Sequence, residues 1–276
     1  MTINRFGLAR DIPSHVKGRV RRRCGFGCVV CGNAIHTFEH FDPPFRDATE
    51  HRDEGITLLC GSHQLESSKG LLSRDSIRRA NAHPCCLRRG YAAYVLDLGN
   101  ERPRLVIGGS DVTNCGSGLA FNGQWVLRVR EPDDHSTRWR LSARFFGADG
   151  ASVCAIRDNE LIVPAANYDV EQAARTLIVR RDSDVVLELE LLPPATLAVN
   201  RYTIPTSSGV IFIGRRNVPD PFTPGESVRS VIAFEGNGGV QMFVDCAFSA
   251  DLGLNFSVTG AGLIMQNQVI SELEFN

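Results

Sequence analysis

Two pairs of residues stand at the spacing that one metal ion requires. Cys28 and Cys31 enclose two residues, and so do Cys60 and His63. A two-residue gap lets both side chains of a pair turn onto the same ion, and zinc takes four such N/S ligands tetrahedrally. One pair alone is weak evidence, since buried cysteines and surface histidines are common. Two pairs within one short basic stretch predict a structural zinc. Cys24 and His36 could each replace a ligand, but neither belongs to so clean a pair. The stretch CGFGCVVCGNAIHTFEH, residues 24–40, also holds Glu39 and His40, a carboxylate beside an imidazole.

The elements that must position these residues can be read around them. HVKGRVRRRCGFGC (15–28) is a short basic helix or turn that runs into the first cysteine pair, and Gly25, Gly27 and Gly32 supply a tight knuckle. ITLLC (56–60) is apolar and partly β-branched, as a short strand requires. A helix follows in HQLESSKGLLS and stops at Gly70. A second helix runs through 73–83, with Ser73 as its cap and Pro84 just beyond its end. PCCLRRGYAAYVLDLGNERPR (84–104) reads as a connector entering a strand.

From residue 91 onward, short apolar or alternating runs such as QWVLRV, RTLIVRR, VVLELELL and GVIFIG are separated by turn-prone stretches such as GADG, RRDSD and EGNGG. This texture predicts a mostly antiparallel β domain, a sandwich or barrel. A β-solenoid is the weaker alternative, because no strict repeat emerges. VPDPFTPGES (218–227) reads as a proline-rich loop. The expected organisation is therefore α+β: a zinc-binding module at 1–90 and a β-rich domain at 91–276.

The whole chain has 276 residues and a formal net charge of −1, but the charge is unevenly placed. Residues 1–90 carry 15 basic and 9 acidic side chains, and the remainder carries 15 and 22. Any polyanion contact is therefore expected in the first module. No apolar run approaches the ~20 residues of a membrane span, and the first residues lack a signal-like apolar core. A cytoplasmic protein without a membrane partner is the expectation. Of the nine cysteines, Cys24, Cys28, Cys31 and Cys60 crowd the first quarter and Cys85 and Cys86 are adjacent, and the odd number and uneven spacing favour ligation over disulfides. Cys115, Cys154 and Cys246 read as small buried hydrophobes, and Trp125 and Trp139 as core. GSGLAFNG (116–123) lacks a nucleotide-loop pattern and reads as a turn.

Taken together, CGFGCVVCG, FEH, ITLLCGSHQ and KGLL resemble the zinc-stapled branch of the HNH endonucleases over roughly residues 17–73. The resemblance implies a ββα-metal fold in which Glu39 binds a catalytic Mg²⁺ or Mn²⁺ and His40 acts as general base. Hydrolysis of a phosphodiester needs an activated water and a cation beside the phosphate, and these residue types suit that chemistry. It further implies that Arg19, Arg21, Arg22 and Arg23 grip nucleic acid, most naturally DNA, and that Arg74, Arg78 and Arg79 extend the track. The chain departs from the family at two positions. Gly55 stands where an asparagine is common, leaving its orienting role open to His51, Asp53 or Glu54. Gln64 stands where a second histidine is common; its amide oxygen can ligate a hard cation.

Two functions follow as expectations. The first is a metal-dependent HNH-type endonuclease. The alternative is a catalytically decayed module that serves as a zinc-held nucleic-acid- or protein-binding scaffold. In either case the β domain would supply assembly into homo-oligomers, a protein contact or ligand sensing. Such a layout suits a bacterial defence or mobile-element protein.

Overall fold

In this computed structural model the backbone is described for residues 3–108, 110–113, 118–121, 124–134, 137–146, 152–165, 169–173, 175–181, 184–192, 194–206, 209–219, 227–236, 239–244, 248–249, 253–259 and 262–268, with side chains described in part as far as Tyr202. Chain contacts divide it into two compact units. One is Met1–Tyr94 with Ile162–Gln172; the other is Val95–Leu161 with Ala173–Asn276. The architecture is α+β and rich in strands. Among the described residues, no helix is long and apolar enough to cross a membrane.

The first unit is built from short elements. Helix α1 spans Ser14–Cys24. It buries Val16, Val20 and Cys24, a stripe at four-residue spacing, and carries Arg21, Arg22 and Arg23 in the last turn, where cations complement the helix dipole. It ends in a Schellman turn: Gly25 takes φ 69°, its N–H reaches Arg22 O, and Phe26 N–H reaches Arg21 O. Side chains longer than hydrogen are excluded at Gly25, since a Cβ there would lie 2.9 Å from Cys86 Cβ.

Strands β1 (Thr37–His40) and β2 (Ile56–Leu59) form an antiparallel pair with Glu39 opposite Thr57 and His40 opposite Ile56. Helix α2 (Gly61–Ser68) starts directly after the pair, two residues earlier than the expected stretch, which begins at His63. This start places His63 in its first turn. Helix α3 covers Arg74–Ala82, with Ser73 Oγ accepting from Ser76 N–H as its cap. The connector at 84–90 holds a short helix that the sequence did not announce, α4 (Cys85–Arg89), which buries Cys85 and Cys86. Strand β3 (Tyr91–Val95) then pairs with the knuckle through Ala34 N–H to Ala93 O and Ala93 N–H to Gly32 O. One core joins α1, the knuckle, β2 and α3: Ile12, Val16, Val20, Val29, Phe41, Ile56, Leu58, Leu59 and Ile77.

The second unit is made of long ladders. Thr176–Arg181, Asp184–Leu192, Thr196–Thr206, Gly209–Pro219, Ser227–Gly236 and Gly239–Val244 pair in succession, each antiparallel to the next. Gly118–Phe121, Gln124–Arg130, Arg140–Phe146 and Ser152–Arg157 do the same in another sheet. Alternation selects the faces: Leu187 and Leu189 are buried, while Glu188 and Glu190 face Asn200. Tyr202 is buried against Phe145, ring centroids 5.2 Å apart, and its hydroxyl accepts from Phe146 N–H.

The pairs are mostly antiparallel, as expected, with one correction and one addition. The sheets are open among the described strands, so no barrel closes. Arg104–Ile107 runs parallel to Thr196–Thr206, and Gly253–Thr259 runs parallel to Gly118–Phe121. A strand returning from a distant part of the chain need not obey the hairpin rule that makes neighbours antiparallel. Cys154 is buried as expected, but Trp139 is only half-buried, with the Arg102 guanidinium 5.6 Å from its ring centroid. Cys115, Cys246, the side chain of Trp125 and most of the 218–227 loop lie outside the described residues. Of 116–123, Gly118–Phe121 is a strand rather than a turn.

Candidate metal centre and catalytic cleft

The Schellman turn hands the chain to the knuckle. Gly32 (φ 79°) donates to Cys28 O, and Cys28 N–H donates to Asn33 O, folding 28–33 into a tight loop. Val29 N–H bonds Leu58 O, which fixes this loop against β2. Gly27 permits the packing: a Cβ would lie 2.8 Å from Cys86 Sγ and 2.9 Å from Asn33 O. Cys60 precedes α2, and the helix bond from Gln64 N–H to Cys60 O swings His63 back over it.

The ligand atoms of Cys28, Cys31, Cys60 and His63 all lie within 4.8 Å of one another, close enough for one metal ion to touch all four. Tetrahedral zinc, with arms of about 2.3 Å to sulfur and 2.0 Å to nitrogen, separates its ligand atoms by about 3.5–3.8 Å. Cys31 and Cys60 Sγ are 3.8 Å apart, Cys28 Sγ is 3.5 Å from His63 Nδ1, and Cys60 Sγ is 3.1 Å from it. The donor set and its spacing are consistent with structural zinc. Burial pushes the Cys28 thiol up from its usual range; a bound dication acts in the opposite sense and favours the thiolate. Cys24 stands apart from the cluster, its Sγ 3.9 Å from Thr57 Oγ1. The His36 ring instead donates Nδ1–H to Ala34 O, 2.8 Å away.

A cleft of about 580 Å³ opens beside β1, and Glu39, His40, Arg10, Phe45, Arg46 and Arg74 are among its lining residues. Burial raises the Glu39 carboxyl, against the opposing influence of Gln64, Arg10 and Arg74. Gln64, on α2, donates Nε2–H to Glu39 Oε2 at 3.3 Å and accepts from Thr37 Oγ1 at 2.8 Å. His40 is 9% exposed; burial, followed by His51 and Arg10, lowers it to about 4. Its ring is therefore neutral, in the proton-accepting form, near pH 7. Its Nε2 lies 3.0 Å from His51 Nδ1.

The four arginines of the basic segment point in different directions. Arg21 is buried. Arg23 donates to Asp53 O, Ile56 O and Asn81 Oδ1, tying α1 to β2 and α3. Arg19 pairs with Asp53 at 3.2 Å, and Arg22 is exposed. The helical period explains the split, because consecutive residues point 100° apart and four arginines in five positions cannot share a face. Arg78 bridges Asp42 and Asp75, and Arg79 donates to Ser76 Oγ, while Arg74 reaches the cleft.

Three lining arginines thus include two, Arg10 and Arg46, that no motif marks. Each is isolated in sequence and enters the cleft only because residues 3–10 and the 41–48 loop fold together. Gly55 also gains a structural reason. A Cβ there would lie 2.1 Å from Asp42 O, and Gly55 O accepts from the N–H groups of Phe41 and Asp42. No side chain, asparagine included, fits at this approach. Comparison with protein-family models, with curated proteins and with solved structures finds no match for the chain.

Proposed function

We propose that the first unit is a zinc-stapled endonuclease module of the HNH type and that it hydrolyses phosphodiester bonds, in DNA before RNA. One observation carries the reading: β1 presents Glu39 and His40 to a cleft lined by three arginines, and α2, which brings Gln64 to Glu39, grows out of the Cys/His cluster. In this reading β1, β2 and α2 are the ββα-metal core. The zinc staples the knuckle to α2 and takes no part in the chemistry.

His40 accepts a proton from the attacking water as the new P–O bond forms and the bond to the leaving sugar oxygen breaks, that oxygen taking its proton from solvent water. Arg10, Arg46 and Arg74 hold the flanking phosphates, as positively charged groups do without reading sequence. Glu39 and Gln64 would hold Mg²⁺ or Mn²⁺, which supplies charge neutralisation at the phosphate when bound. A hard cation needs oxygens, so Gln64 would have to turn its amide over, offering Oε1 toward Glu39 and Nε2–H to Thr37 Oγ1.

That requirement favours a second reading, a decayed module that binds nucleic acid without cutting it. A cleavage assay over a metal series, beside a zinc measurement, separates the two. The nuclease reading expects Mg²⁺- or Mn²⁺-dependent cleavage, lost in His40→Ala with zinc content unchanged. Binding that weakens with salt, without cleavage under any metal, supports the decayed module. The second unit is proposed to serve assembly or ligand sensing, and its mass in size-exclusion chromatography tests the first of these.

A further inference from the structure

His40, which lines the cleft, is paired with His51, and His51 with a backbone carbonyl, and the three groups together dictate where protons sit. Ala9 O lies 3.0 Å from His51 Nε2. A carbonyl can only accept, so His51 Nε2 carries the hydrogen. A neutral imidazole has one N–H, which leaves His51 Nδ1 with a lone pair. That atom is 3.0 Å from His40 Nε2, so His40 Nε2 is the donor and His40 Nδ1 keeps the free lone pair. We propose that His51 is a positioning residue, fixing His40 in the Nε2–H tautomer so that Nδ1 is the nitrogen able to take up a proton.

The support for this relay is itself well anchored. Asn4 Nδ2 donates to Phe45 O and Ala48 O, both at 2.6 Å, and Asn4 Oδ1 accepts from the N–H groups of Phe6 and Leu8. Ile3 bridges to Ala9. The carbonyl is therefore presented by a segment locked onto the 41–48 loop, which also carries Phe45, whose ring centroid is 5.4 Å from that of His40. The other two candidates for an orienting role are otherwise placed: Asp53 pairs with Arg19, and Glu54 is exposed. His51 acts where an asparagine at position 55 would not fit.

The proposal rests on reading His40 as the base, but its first test does not. In zinc-loaded full-length protein labelled with ¹⁵N-histidine, long-range proton–nitrogen spectra near pH 7 report each tautomer; loss of a signal in His40→Ala assigns that ring. The expected spectrum shows His40 protonated at Nε2 alone. His51→Ala should give a mixed or reversed His40 tautomer. His51→Asn, whose Oδ1 can take the place of Nδ1, should restore it. A His40 protonated at Nδ1 in the wild type, or a His40 signal indifferent to His51→Ala, overturns the proposal.

In the cleavage assay, His51→Ala should lower kcat roughly 10–100-fold with KM nearly unchanged, and His51→Asn should recover part of the loss. Equal kcat in His51→Ala and wild type also overturns it. A wild type that shows the expected tautomers and cuts nothing sinks the nuclease reading alone, and the histidine relation stands.

Discussion

The two units solve the problem of holding a chain in place by different means. In the second, strands of up to eleven residues pair along long ladders broken only by local register shifts, and alternating side chains bury one face. Order there is distributed, since each residue adds backbone bonds and apolar contact in the same pattern. In the first, the two strands of the candidate site have four residues each and the helix behind them has eight. Elements this short are not stable by themselves. Their positions depend on a few singular groups: the Cys/His cluster, the Arg23 guanidinium on Asp53 O and Ile56 O, and Asn4 on the 41–48 loop. A site that must aim single side chains is built where single contacts decide geometry.

The largest test of this contrast is removal of the zinc proposed at the Cys/His cluster. Structural zinc contributes about 10–16 kcal/mol in small modules. A strong chelator, or Cys60→Ser, is expected to erase the helical signal of the first unit in circular dichroism while the β signal persists. Persistence of the helices without metal would break the comparison. Next in size, Phe145→Ala removes a buried ring from the second unit and should cost about 3–5 kcal/mol. It should lower the urea midpoint of the β signal and leave zinc content intact; loss of zinc would show that the units do not stand apart.

Gly55→Ala sets a methyl against Asp42 O and is expected to destabilise the first unit by about 1–3 kcal/mol, read by thermal melting. Acid should act through His36, which burial first of all holds down at about 4. Above pH 6.5 the ring is neutral whether folded or unfolded. Below it the unfolded chain takes up a proton that the folded ring refuses, so the stability this ring contributes falls as pH drops from 6.5 toward 4, with a slope of at most about 1.4 kcal/mol per pH unit; His40, also held at about 4, adds in the same sense. His36→Asn should flatten that part of the curve, and a difference between the curves that is constant with pH would remove the cause. Smallest of all, Ser73→Ala should cost about 1 kcal/mol through the lost cap on α3, measured as a shift in the same melting curve.

Some of this was legible beforehand because the physics is local. Each of the Cys-x-x-Cys and Cys-x-x-His pairs was legible because it needs only its own short loop to turn both side chains one way, whereas the long-range Val29–Leu58 contact brings the two pairs together. Ser73 caps α3 and Gly70 follows α2 for reasons contained within a few residues. LELELL alternates in a strand as its spelling requires. The run of arginines at 19–23 was less informative than it looked, since residue type does not say which side chain a helix turns inward. Arg21 went to the interior and Arg23 to backbone carbonyls of β2 and its approach.

By itself, then, the sequence determined which residues could ligate a metal, where the chain turns, and that one part would be helical and basic and the other stranded and acidic. These follow from spacing, propensity and charge, which are properties of neighbours. Only the tertiary structure decided that Arg10 and Arg46 face the same cleft as Glu39, that Gly55 must be glycine, and that Ala9 sets His51 against His40. Each of these depends on atoms far apart in the chain brought within a few ångströms, and no local pattern encodes that approach.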